Sequence, residues 1–147
     1  MRIKPGFTIV ELLVVIVVIG ILATLVSVSM ITYLADTRDQ LRQSATTSIA
    51  KELERYYEKN GEYPSCTSLQ TNVLATLPSA DTALFIAPSA PSGTTNSIVC
   101  SATPNGITDQ YAYQSNPSNT SAAGTSFTLS YWSEVKKQTI TVSSVRN

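Results

Sequence analysis

An α+β fold is predicted for this 147-residue chain, with one long N-terminal helix packed on a small antiparallel β-sheet. Three observations carry the prediction. An apolar run from Phe7 to about Ile31 is interrupted by a single charge, Glu11. The run passes without a turn signal into a charged stretch whose apolar residues recur every three or four positions. After Asn60-Gly61 the chain becomes rich in Ser, Thr, Asn and Pro, with short alternating segments between turn formers.

The first element is a membrane-length helix. Twenty-four residues without a formal charge separate Glu11 from Asp36. At about 1.5 Å per residue they cover about 36 Å, enough for a hydrocarbon core of about 30 Å. Arg2 and Lys4 precede the run, so the positive-inside rule keeps the N-terminus in the cytoplasm and carries everything after residue 35 outside. An acid within such a run is costly and is a functional candidate by default. Simple snorkelling of Glu11 to the headgroups is the plainer alternative.

Residues 6 to 12, Gly-Phe-Thr-Ile-Val-Glu-Leu, resemble the processing site of type IV pilin precursors and of the pseudopilins of type II secretion. The family pattern G-F-T-[LI]-[VI]-E-[LV] is matched throughout. The likeness is dense over residues 5–35, looser to about Pro64 and architectural beyond. It implies that a membrane-embedded prepilin peptidase cuts between Gly6 and Phe7 and that Phe7 is then N-methylated. It also makes Glu11 and the new α-amino group of Phe7 partners in an assembly charge pair between adjoining subunits. The physics is compatible, because an α-amino group with a pKa of about 7.7–8.0 is a cation at neutral pH. Desolvation offsets much of the attraction in such a pair, so its role is register more than stability. Two other readings address the same segment: a signal peptide cut after Ser27-Val28-Ser29, and a plain signal anchor. The run exceeds the roughly 7–15 residues of a signal h-region, and neither reading accounts for Glu11.

Gly20 lies within the run, where glycine weakens a helix by roughly 0.5–1 kcal/mol relative to alanine. The resemblance implies helix flexibility near this point; close helix packing at a small residue is an equal account. The proline that many pilins carry shortly afterwards is missing, since no proline lies between Pro5 and Pro64.

From Asp36 to Lys59 ten charges occur in twenty-four residues. Leu34, Leu41, Ala45, Ile49, Leu53 and Tyr56 or Tyr57 form the stripe expected to face a core. Asp39/Arg42, Lys51/Glu54 and Glu52/Arg55 are spaced to pair on the polar face. Asn60-Gly61 supplies the stop and Pro64 forbids continuation, so one helix of about 80 Å is predicted from Phe7 to Lys59. The segment Tyr56 to Pro64 resembles the Y-x-x-x-x-G-x-Y-P with which this helix ends in the family, and its tyrosines are expected to pack in the core. The predicted segments are therefore a leader (1–6), a transmembrane and assembly helix (7–35), an amphipathic half (36–60) and an extracytoplasmic globular domain (61–147).

Within that domain, strands are predicted at Gln110–Gln114, Phe127–Trp132 and Gln138–Val142, after a variable loop from about Ser65 to Gly106. Cys66 and Cys100 are the only cysteines and both fall outside the membrane. Two thiols in an oxidising compartment predict one disulfide. With no histidine in the chain, a two-cysteine metal site lacks partners.

Enzymatic chemistry finds no support. Without histidine neither a Ser-His nor a Cys-His nucleophile can be built. Asp81 and Asp109 lack the spacing of a calcium loop, and solvated acids are the simpler reading. Asn119-Thr120-Ser121 matches the N-x-[ST] glycosylation pattern, which arises readily by chance in such a sequence. Lys136, Lys137 and Arg146 are too few to predict nucleic-acid binding and read as a solvated face. No cofactor and no metal are expected. Losing Arg2 and Lys4 leaves eight basic against ten acidic side chains, a balance of −2.

The resemblance thus implies a type IV pilin, a homo-oligomeric subunit of a helical surface filament. It would sit in the cytoplasmic membrane before assembly and in an extracellular pilus afterwards. Implied partners are prepilin peptidase, an assembly platform and its ATPase, and other pilins. The alternatives are a type II secretion pseudopilin, or a minor pilin with a role in adhesion or DNA uptake.

Overall fold

In the computed structural model, residues 6–100, 103–116 and 123–145 are described. The chain divides between Ala35 and Asp36 into two compact units. A single helix, α1 (Ile9–Asn60), contributes to both.

In the first unit α1 is long and apolar enough to cross a membrane, by length and composition. Its Leu, Val and Ile side chains, from Leu12 to Leu25, are about half-exposed and meet no core of their own. Hydroxyl groups placed among them bond back to the helix: Thr24 to the Ile21 carbonyl at 2.7 Å, Ser27 to Ala23 at 2.9 Å and Ser29 to Leu25 at 3.1 Å. Such bonds satisfy the polar side chain without a partner outside the helix.

The second unit holds the core. There α1 buries Arg42, Ala45, Thr46, Ile49 and Leu53. Leu34 and Leu41 belong to the predicted stripe but remain 41% and 54% exposed, and Arg42 is buried in their place. The helix ends where Gly61, at φ +77°, donates its N–H to the Tyr57 carbonyl at 2.8 Å. A left-handed residue just past the last turn is the usual glycine stop. Tyr63 follows at once, fully buried, with its ring 4.6 Å from Tyr57 and 4.9 Å from Phe127. The Tyr63 and Tyr113 hydroxyls donate to Glu54 and to the Pro64 carbonyl. Burial, reinforced by the neighbouring Tyr63 and Tyr56 phenols, holds the Tyr113 phenol well above its ordinary range.

The segment expected to be loop contains structure. Ser65 caps α2 (Cys66–Thr71), Asn72 caps α3 (Val73–Thr76), and Asp81 caps a 3-10 turn at Thr82–Phe85. Each cap is a short polar side chain accepting a backbone N–H, the local chemistry that starts a helical turn. Asp81 accepts from Ala83 at 2.9 Å.

Four strands follow: β1 (Ile98–Val99), β2 (Tyr111–Asn116), β3 (Ser126–Ser133) and β4 (Gln138–Ser143), ordered β1-β2-β3-β4. The last three form the predicted antiparallel meander, with Ala112 opposite Ser130 and Tyr131 opposite Ile140. The sheet is nevertheless mixed, because β1 pairs parallel to β2. A two-residue strand has no alternation to read, so this edge was invisible to periodicity. Along β3 buried Phe127, Leu129 and Tyr131 alternate with outward residues, which fixes the register against α1.

Candidate functional site

The N-terminal turn of α1 carries the predicted processing and assembly residues. Phe7 is 84% exposed, and nothing lies within 4 Å of where a Cβ on Gly6 would be. Thr8 is the cap of α1. Its hydroxyl accepts the Glu11 N–H at 3.3 Å, while Glu11 Oε2 accepts the Thr8 N–H at 2.8 Å and the Thr8 hydroxyl at 2.7 Å. This is a reciprocal capping box, T-x-x-E, which satisfies donors at a helix start that nothing inside the helix can reach. The motif is readable in Thr8-Ile9-Val10-Glu11, and it adds Thr8 to the site. The carboxylate also sits at the positive end of the helix dipole, where a negative charge is favoured.

Gly20 lies in mid-helix with open space around its Cβ position, so no contact within the subunit demands a glycine there. Cys66 and Cys100 form a disulfide with Cα atoms 5.5 Å apart, joining α2 to the residue after β1. Asn96 reinforces the same junction by donating to the carbonyls of Leu69 and Gln70 at 2.8 and 3.1 Å.

A second constellation, absent from the sequence reading, is centred on Arg42. Its side chain is only 3% exposed. The guanidinium holds Asp109 with two bonds of 2.8 Å, Asp39 with one of 2.8 Å and Glu134 with one of 2.6 Å. Arg38 adds a fork onto Glu134, with its shortest bond at 2.6 Å. Asp39 also accepts the Ser133 hydroxyl and the N–H groups of Glu134 and Val135. Burial works against the Arg42 charge, but the bonds to Asp109 and Glu134 outweigh it and raise the pKa. The Glu134 carboxyl is held below its usual range, first by Arg38. Burial would raise the Asp39 pKa; its hydroxyl, N–H and arginine donors win and lower it. Asp109 is therefore a half-buried acid paired with Arg42 rather than a solvated one, with a side chain 11% exposed. Of the spaced pairs, Asp39/Arg42 and Glu52/Arg55 form, whereas Glu54 instead accepts from Tyr63 and from the Val145 N–H.

Among the described residues no group of three or more His, Cys, Asp or Glu side chains is arranged to hold a metal ion. Lys136 and Lys137 are exposed. Asn119-Thr120-Ser121, Arg146 and the leader residues Arg2 and Lys4 lie outside the described residues.

Residues 1–27 match the family model described as the prokaryotic N-terminal methylation motif. No curated protein and no solved structure matches the chain. The motif covers Gly6, Phe7, the Thr8–Glu11 cap and Gly20. This chain accordingly carries, at the start of its apolar helix, the signature shared by type IV pilins and pseudopilins.

Proposed function

We propose that this protein is a type IV pilin, the structural subunit of a helical surface filament. The methylation motif over residues 1–27 carries the reading, since it joins a processing site to a helix of membrane length. Residues 1–6 are the leader removed by prepilin peptidase between Gly6 and Phe7, and Phe7 is then N-methylated. Residues 7–35 anchor the subunit in the cytoplasmic membrane and later bundle in the filament core. Residues 36–60 link that helix to the globular domain of residues 61–147, which lies outside. A platform protein, its ATPase and other pilins are the partners this reading requires.

The capping box supports the assembly role of Glu11. Both Thr8 bonds fall on Oε2, so Oε1 is available to the α-amino group of Phe7 in an adjoining subunit. An acid already oriented by its own helix loses less freedom when it meets that cation. Head-to-tail addition of identical subunits gives an open helical fibre when the operation does not close. Gly20 and the back-bonded hydroxyls of Thr24, Ser27 and Ser29 support a locally adaptable helix, because such side chains satisfy carbonyls that a bend would free.

Intact mass of the protein from sheared surface material and from membranes tests the proposal. A species beginning at Phe7 with one added methyl group, abundant in the sheared fraction, is the expected result. The same species confined to membranes would assign a pseudopilin or a minor pilin instead. A chain beginning at Met30 would show ordinary signal-peptide cleavage and overturn the filament reading.

A further inference from the structure

We propose that the cavity between Trp132, Ile107 and Asp109 is a docking site for a lysine side chain on an extended peptide segment of another protein. Every residue of this site belongs to the second unit, and the contact is separate from filament assembly.

The electrostatics select a cation. Asp39, Asp109 and Glu134 face only Arg38 and Arg42, which leaves one negative charge in excess. Arg42 is spent on those acids, so an incoming anion would have to compete with three carboxylates for it. Asp109 still has capacity. Its Oδ2 accepts from Arg42 at 2.8 Å and from the Ser89 N–H at 2.7 Å, whereas Oδ1 accepts the Arg42 Nε–H alone. A carboxylate offers about four acceptor positions, so Oδ1 can take one more donor. Thr108 gives its hydroxyl proton to Gln110 Oε1 at 3.1 Å, which leaves Thr108 Oγ1 as a second acceptor on the cavity wall. Among the described ion pairs none contains Lys136 or Lys137, so the chain's own turn lysines do not fill the place.

The walls select an aliphatic stem. The cavity measures about 110 Å³, the scale of one side chain. Trp132 forms one wall, and the loop lies so close that a Cβ on Gly106 would fall 2.5 Å from the indole Nε1. Ile107 stands at the rim, 85% exposed and outside the core cluster. Lysine suits this combination, because its methylenes cover apolar surface while the ammonium seeks the acid. An indole also attracts the ammonium directly through its ring quadrupole. The planar fork of arginine is a poorer match, since it calls for a paired acceptor and Asp109 has only one oxygen to spare. A second cavity of about 350 Å³ shares Ile107, Thr108 and Asp109 and continues past Pro91, Asn96 and Gln110. It gives the backbone flanking that lysine a bed that is uncharged apart from Asp109.

Trp132, the chain's only tryptophan, reports occupancy by its fluorescence. The full chain in neutral detergent micelles is titrated with the peptide acetyl-Gly-Lys-Gly-amide. A saturable change is expected, with the lysine peptide binding about tenfold tighter than its norleucine counterpart. High salt should weaken the lysine peptide alone, and acetyl-lysine or glutamate in its place should bind no better than norleucine. Ile107→Ser, a change at an exposed position, should weaken the lysine peptide severalfold. Asp109→Asn should abolish the preference over norleucine; if its melting curve shows an unfolded chain, Ile107→Ser and the peptide series decide. No saturable change, equal binding of the lysine and norleucine peptides, or lysine binding that Ile107→Ser leaves unaltered overturns the proposal. n-Butylamine binding as tightly as the peptide would assign the site to a free amine and overturn the docking role.

Discussion

Two charged side chains of α1, Glu11 in the first unit and Arg42 in the second, do different work. Glu11 is exposed and caps its own helix through Thr8, with one oxygen unused. Arg42 is buried and saturated by three carboxylates. Glu11→Ala is expected to leave cleavage at Gly6 intact while impairing filament assembly. Normal filaments built only from this variant, seen by electron microscopy, would remove the charge-pair role. Arg42→Ala strands Asp39 and Asp109 without their cation and leaves Glu134 with Arg38 alone, and breaking a buried pair in this way costs roughly 3–5 kcal/mol. Chemical denaturation of the variant should show a loss of that size. Lysine should not restore it, because a point charge cannot reproduce the fork on Asp109. Glu11 is legible in sequence as a lone acid in an apolar run. Arg42 is not, since its partners Asp109 and Glu134 lie 67 and 92 positions away.

At the scale of elements, α1 and the meander follow from periodicity, whereas β1 and the helical turns of residues 66–85 do not. Their starts depend on single caps, Ser65, Asn72 and Asp81, whose side chains have local alternatives. The disulfide ties α2 to the end of β1 across a separation of 34 residues. On the chain-entropy model a loop of this size stabilises by roughly 3–4 kcal/mol. Cys100→Ser is therefore expected to lower the melting temperature under non-reducing conditions by several degrees or more. Identical melting of the unaltered protein with and without reductant would mean that the bond is energetically idle. The stripe on α1 teaches a related lesson. Leu41 fits the pattern and is exposed, while Arg42 breaks it and is buried, because burial there is set by the carboxylates opposite.

For the molecule as a whole, the Arg42 network makes the globular unit sensitive to acid. Asp39 and Glu134 titrate below their ordinary values of 3.8 and 4.5 when folded. As pH falls through that range, the unfolded chain takes up protons before the folded one does, which favours unfolding. Their stabilisation is complete above about pH 5 and is lost progressively below it, as the depressed folded pKa values are crossed. Thermal melts from neutral pH to pH 3 should show the transition falling over that interval. A flat profile would indicate that the two acids contribute nothing differential. Arg42→Met should flatten the profile by removing the donor that the acids share.

The helix, its membrane length, its stop at Asn60-Gly61 and the methylation motif can all be read from the amino-acid order. These depend on residues within a turn or two of one another and on the length of an apolar run, so no distant contact is needed to read them. The parallel pairing of β1, the outward Leu41 and the gathering of Asp39, Asp109 and Glu134 around Arg42 appear only when the chain is folded. Those outcomes turn on which distant surfaces meet, and the free energy of such contacts is carried by no local pattern.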